Sequence, residues 1–184
     1  MIDDEGARLM LRFKDGDRGA FESLFQRYTP PLMNFLARMV GDRDRAEELA
    51  QEVFVRIYRA RERYEAKARF STWMFGIASN LALNELARAH RQRERPLQEA
   101  DLAGLANPGP DLDDQVDARK LAQDLHRAMA QLPDRQRAAL LLRAEQGLGY
   151  DEIGRALNAS VASVKSLLHR ARESLLTQLK GMEP

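Results

Sequence analysis

Residues 149–175 read GYDEIGRALNASVASVKSLLHRARESL. A short amphipathic segment carries Ile153 and Leu157 on one side. Asn158 follows, a residue that tolerates the left-handed backbone which stops a helix. Ser160 then stands where a hydroxyl caps the next helix. Short helix, Asn, Ser cap and long helix, in that order, are the parts of a helix-turn-helix. Projected at ~100° per residue, Val164, Leu168, Ala171 and Leu175 share one narrow arc. Ala162, Ser166, His169 and Glu173 lie opposite, with Lys165 and Arg170 on the flanks. Such a helix can pack on a scaffold by one side and lay small polar and basic groups in a major groove by the other. An amphipathic hairpin with solvated charges is the competing reading.

Working outward, the C-terminal block holds four helices, over roughly 112–131, 134–146, 150–157 and 160–180. Pro133 suits the start of the second, and Gly147 and Gly149 separate the second from the third. Upstream lies PLQEADLAGLANPGPDLDDQVDA, residues 96–118, where three prolines and two glycines break any 3.6-residue period. It reads as a flexible linker, with a short helical piece near 102–105. Its charge sets it apart: residues 97–118 carry six acidic side chains and no basic ones, against 18 basic and 15 acidic in 1–96 and 11 basic and seven acidic in 119–184. The net charge of +1 therefore conceals two mildly basic blocks around an acidic tether.

The N-terminal block also reads as helix. Phe21, Leu24, Phe25 and Tyr28 recur at i, i+3, i+4, i+7, and the Pro30–Pro31 pair is expected to break or restart that helix. Gly41 and Asp42 mark the next boundary. Ala46, Leu49, Ala50, Val53, Phe54, Ile57 and Tyr58 form a three-turn apolar stripe. The segment YEAKARFS, 64–71, looks like a loop. After it, RFSTWMFGIASNLALNELARAHRQR, 69–93, makes a helix whose apolar arc holds Met74, Ile77, Ala78, Leu81, Ala82 and Leu86. Trp73, the single tryptophan, falls with Asn80, Asn84 and Arg91 on a separate stripe within ~20°. An aromatic face, amides and cations suit a single-stranded nucleic acid, by stacking, base edges and phosphates. Arg88, Arg91, Arg93 and Arg95 extend the phosphate candidates. A core role for Trp73 competes with the stacking one.

Composition removes other classes. No run approaches the ~18 apolar residues of a membrane span, and the acidic start lacks the apolar stretch of a secretory signal; the expectation is a cytoplasmic protein. Without cysteine there is no disulfide, thiol nucleophile or Cys-ligated metal. His90, His126 and His169 are scattered, and neither a phosphate-binding glycine loop nor a paired metal-ligand motif is present. The chain is not expected to be an enzyme or to carry a metal or cofactor. An autonomous helix-turn-helix regulator and a helical protein adaptor remain the alternatives to a nucleic-acid-binding protein of two basic blocks.

The order of parts is distinctive. AEELAQEVFVRIY precedes FSTWMFGIASNLALNELAR; a linker follows, and then LPDRQRAALLL and GYDEIGRALNASVASVKSLLHRARESL. Taken together this resembles the extracytoplasmic-function (group IV) sigma factors of the sigma-70 family. The resemblance implies an all-α fold of two small helical domains, a σ2-like bundle over 1–95 and a σ4-like helix-turn-helix domain over 119–184, joined by the acidic linker 96–118. It implies binding to bacterial core RNA polymerase, recognition of promoter −35 duplex and single-stranded −10 DNA, help in strand opening, and control by an anti-sigma factor. By motif, Glu48, Gln51, Glu52 and Phe54 fall where the family docks on the clamp helices of the largest polymerase subunit. Tyr64, Lys67, Phe70, Trp73, Asn80, Asn84, Arg88 and Arg91 fall in or beside the −10 contact surface. Lys165, Ser166, His169 and Arg170 fall where the family faces the −35 major groove. The resemblance further implies that the free protein packs its domains together with the DNA surfaces covered. Three positions depart from the pattern: Gly76 and Ser79 stand where relatives often carry arginine, and Leu167 replaces a common arginine and is placed to pack.

Overall fold

The computed structural model describes residues 4–93 and 116–181, with side chains in the second block from residue 123 onward. Within them the chain forms eight α-helices and no strand: α1 Glu5–Lys14, α2 Arg18–Val40, α3 Arg43–Ala60, α4 Phe70–Arg93, α5 Val116–Ala130, α6 Asp134–Ala144, α7 Tyr150–Leu157 and α8 Val161–Lys180. A three-residue 3-10 turn, Arg61–Arg63, follows α3. Residues 96–115 of the acidic linker, the short helical piece expected at 102–105 and Arg95 lie outside the described residues, whereas 116–118, expected as linker, form the first turn of α5.

Local chemistry sets most boundaries. Asp4, Asp17, Asp42 and Ser160 each accept a backbone N–H in the first turn of α1, α2, α3 and α8, which satisfies donors that have no partner inside the helix. Gly41 ends α2 at φ 75°, and Asn158 ends α7 at φ 48°. Pro133 precedes α6 at φ −51°. Asp4 also reaches across the fold. Its carboxylate accepts the Ala7 N–H at 3.0 Å and the Phe70 N–H at 2.7 Å, tying the starts of α1 and α4 together. The helices cross so closely there that a Cβ on Gly6 would overlap Tyr28 Oη and stand 2.8 Å from the Phe70 Cβ.

The proline pair does not break α2, which runs unbroken through Pro30 and Pro31. The carbonyls that lose their donors belong to Gln26 and Arg27, both exposed, and Thr29 donates its hydroxyl to the Phe25 carbonyl at 2.6 Å. Leu24, Leu32, Phe35, Leu36 and Met39 are fully buried along one side. At roughly 1.5–3 kcal/mol for each such side chain, their burial outweighs a local preference of about 3 kcal/mol per interior proline.

The two blocks share one hydrophobic core. Buried residues of α1–α4 and of α6–α8 form a single cluster, with α7 lying along α4 and α6 against the ends of α2 and α4. Arg137 of α6 is 8% exposed and forms the central polar tie. Its guanidinium donates to the carbonyls of Met39, Met129, Ala130 and Leu132 at 2.5–3.1 Å. Met39 sits in the last turn of α2, and Met129 and Ala130 in that of α5, so one cation meets the negative ends of two helices. Burial pulls its pKa below the usual arginine value, against the opposing pull of Asp134. Arg38–Glu145 at 2.6 Å and His90–Asp134 at 3.2 Å also join the blocks.

Because Pro30 is exposed and interior to a helix, Pro30→Ala is expected to stabilise the protein by about 1–2 kcal/mol. Urea denaturation followed by circular dichroism measures this; a lower midpoint would mean the ring contributes packing.

Candidate functional site

Three surfaces carry the residues singled out in the sequence. The first lies on α2 and α3. Glu48 is exposed and pairs with Arg45, and Gln51 is exposed. Glu52 is half-buried and pairs with Arg56 at 2.8 Å. Phe54 is 5% exposed and supports the surface from below, its ring 4.7 Å from that of Phe25. The aromatic groups that reach solvent are Phe25, 46% exposed, and Tyr58, 48% exposed. Periodicity alone placed both on the core stripe, because a stripe of that width does not show which of its edges stays wet. Arg45 also donates to Glu85 of α4 at 2.7 Å. The two carboxylates, Glu85 first, push its pKa upward, while Arg45 lowers that of Glu85. This buttress joins α3 to α4 behind the acidic face.

The second surface is the loop at 64–69 with α4. Tyr64 is 5% exposed and Phe70 is fully buried. Phe70 packs on Tyr28 at 4.8 Å and Tyr64 on Trp73 at 4.9 Å, with Trp73 5.8 Å from Phe70. In this arrangement neither Tyr64 nor Phe70 presents a ring face to a base; they form the floor that holds the loop. Trp73 is half-buried. Lys67 is exposed and pairs with Glu65. Asn80, Asn84, Arg88 and Arg91 are exposed along α4, with Arg88 held by Glu85 at 3.1 Å. From Trp73 to Arg91 the stripe is ~27 Å long. Gly76 and Ser79 face the other way in effect: Ser79 is fully buried, and Gly76 lies against Ala156 of α7. Arginine at either place has no room in this packing.

The third surface is α8. Val164, Leu168 and Ala171 are buried and Leu175 is half-buried, the apolar arc read from the sequence. Leu167 is half-buried and packed on the core. Lys165, Ser166, His169 and Arg170 are exposed, with His169 3.4 Å from Glu173. The bend that presents α8 depends on Gly154, whose Cβ would stand 2.7 Å from the Ala159 carbonyl oxygen. The Ala159 N–H donates to the Gly154 carbonyl at 2.8 Å. The expectation of covered DNA surfaces holds only in part. The blocks do pack together, yet α8 rests on α5, α6 and α7 and keeps its polar face open. What α7 covers is the Thr72–Gly76 side of α4.

Residues 24–92 match the family model Sigma-70 region 2, and residues 122–175 match Sigma-70, region 4. The chain is 36% identical over 174 residues to RNA polymerase sigma factor CarQ of Myxococcus xanthus, covering 95% of this chain and 97% of that one. To ECF RNA polymerase sigma factor SigW of Bacillus subtilis it is 30% identical over 178 residues, covering 92% and 94%. Two solved structures share the fold. CnrH in complex with the cytosolic domain of CnrY matches with a TM-score of 0.72 at 20% identity, over 98% of this chain and 100% of that one. RpoE in complex with the anti-sigma factor NepR from Bartonella quintana matches at 0.66 and 22%, over 89% and 98%.

The Tyr64 hydroxyl is buried with no hydrogen-bond partner among the described residues. Burial, helped by the Asp4 carboxylate, raises its pKa from 10.0 to about 12. A raised pKa adds stability that is complete below pH 10 and is lost as pH climbs through 12. Tyr64→Phe is expected to gain about 1 kcal/mol at neutral pH and to shift alkaline unfolding to higher pH. Urea titrations across the alkaline range test both.

Proposed function

Because the chain belongs to the sigma-70 family of RNA polymerase sigma factors, and within it to the extracytoplasmic-function type, we propose that its three surfaces divide promoter recognition and opening among themselves. It serves transcription initiation; bond formation belongs to the polymerase. The domains are 1–95 and 119–184, with 96–118 as the acidic tether between them.

The acidic face of Glu48, Gln51 and Glu52, with Phe25 and Tyr58 as apolar anchors above Phe54, meets a basic helical surface on core polymerase. Lys165 and Arg170 read the −35 duplex from the major groove, with Ser166 and His169 beside them. The loop at 64–69, braced by Tyr64 and Phe70, takes up unpaired −10 bases. Trp73, Asn80, Asn84, Arg88 and Arg91, with Lys67 at the loop, follow the strand. Neither block is basic enough to hold DNA tightly alone. Once polymerase positions both, the second contact becomes effectively intramolecular. Unstacking a base costs a few kcal/mol, and stacking on a side chain returns roughly 1–3 kcal/mol, so trapping separated strands needs no nucleotide hydrolysis. The protein works in the cytoplasm, where its polymerase is. An anti-sigma factor is a fitting partner, since a structural relative is bound to one.

One observation carries this reading: a single chain bears both an open polar and basic face on a capped helix-turn-helix and a separate stripe of aromatic, amide and arginine side chains on α4. An autonomous regulator or an adaptor needs only one of these.

In run-off transcription with purified core polymerase, Lys165→Ala with Arg170→Ala is expected to cut promoter-specific transcript ~10-fold or more. Each change should also relax specificity at the base pair it reads, at a cost of about 1–3 kcal/mol on the cognate promoter. Trp73→Ala should impair initiation on duplex and recover on a template already melted at −10. Absence of any specific transcript with the unmodified protein would defeat the reading.

A further inference from the structure

α7 meets α4 through a shared carboxylate. Glu152 Oε1 accepts the Thr72 hydroxyl at 2.9 Å and lies 3.6 Å from Arg69 Nε. Its other oxygen accepts the Gly149 N–H at 2.8 Å and caps α7. Thr72 is 2% exposed in this seam, whereas Arg69 keeps 58% of its side chain in solvent. One turn along α4, a Cβ on Gly76 would stand 3.5 Å from the Ala156 Cα, ordinary van der Waals contact.

A hydroxyl and a guanidinium converge on one anionic oxygen at the edge of the loop assigned to unpaired bases. Strand backbones are held by the same chemistry, with charged and hydroxyl donors on phosphate oxygens. We propose that Arg69 and Thr72 form a phosphodiester-binding pair for the single strand, and that Glu152 occupies the pair in the free chain as an internal stand-in for phosphate. Strand and α7 then compete for the same two donors, and α7 must leave α4 before this part of the strand can bind. Gly76 belongs to the same device, because only a residue without a long side chain lets α7 seat deeply enough for Glu152 to reach Thr72. The inference rests on the assignment of α4 to the single strand.

The chain has no cysteine, so Gly76→Cys with Ala156→Cys introduces one defined disulfide where the helices already approach within its reach. Full-length protein, oxidised and reduced, is titrated by fluorescence anisotropy with a labelled single-stranded DNA oligonucleotide carrying a −10-like sequence. The oxidised form is expected to bind about tenfold more weakly than the reduced form, a 1.4 kcal/mol difference. Glu152→Gln, which keeps size and an acceptor oxygen, should tighten binding by roughly three- to tenfold. In that background Thr72→Val, which changes no charge, should remove most of the gain, as should Arg69→Ala; circular dichroism confirms that each variant is folded. Equal binding by oxidised and reduced protein overturns the proposal, as does a Thr72→Val change without effect in the Glu152→Gln background. Run-off transcription with the unmodified protein reports separately on the sigma-factor assignment, so the two failures are distinguishable.

Discussion

The arrangement of the whole chain depends on how the polar ends of its helices are satisfied where two blocks meet. Arg137 shows the constraint most directly. A guanidinium buried to 8% exposure would be costly if it found no acceptors. It finds four carbonyls, one of them from α2 in the other block. The Met39 and Ala130 carbonyls need it in turn, since the last turns of α2 and α5 have no intrahelical donors for them. A lysine could not span this set, because its ammonium lacks the planar fork. Around this tie, the Glu152 carboxylate and the Arg38–Glu145 pair settle how α6 and α7 lie on the N-terminal helices.

This packing gives the molecule its division of labour. α8 stands away from the N-terminal block with its polar side open, while the Thr72–Gly76 side of α4 is occupied by α7. The polar side of α8 is thus open in the packed state, and part of the α4 surface is not. Two residues that depart from the family pattern make sense in that light. Gly76 and Ser79 lie where the helices pack, and an arginine that would serve DNA in an open molecule would prevent this closure.

What could be read from the sequence follows from the range of the interactions involved. Asn158 and Ser160 act on backbone within three residues of themselves, so the helix-turn-helix was visible in the letters, and the arc of Val164, Leu168 and Ala171 followed from helix geometry. The Pro30–Pro31 pair misled because its local penalty is overcome by a distant gain: Phe35 is fully buried with its ring against Phe75 of α4. Thr72–Glu152 spans 80 residues and Arg137–Met39 spans 98. No spacing rule announces such pairs. The same is true of Phe70, which sits between a loop and a helix and is claimed by Tyr28 from a third element. The family resemblance put it in the −10 contact surface, and its burial places it in the floor beneath.

The Asp4 cap has a bearing on how the molecule comes into being. α1 is made before α4: the second donor to the Asp4 carboxylate, the Phe70 N–H, lies 66 residues further along the chain, and the slot that admits Gly6 is walled by Tyr28 and Phe70. Until then α1 can lay Phe13 on Phe21 of α2, with its first turn capped and one wall of its slot missing. The start of α4 is therefore locked in place by a helix made before it.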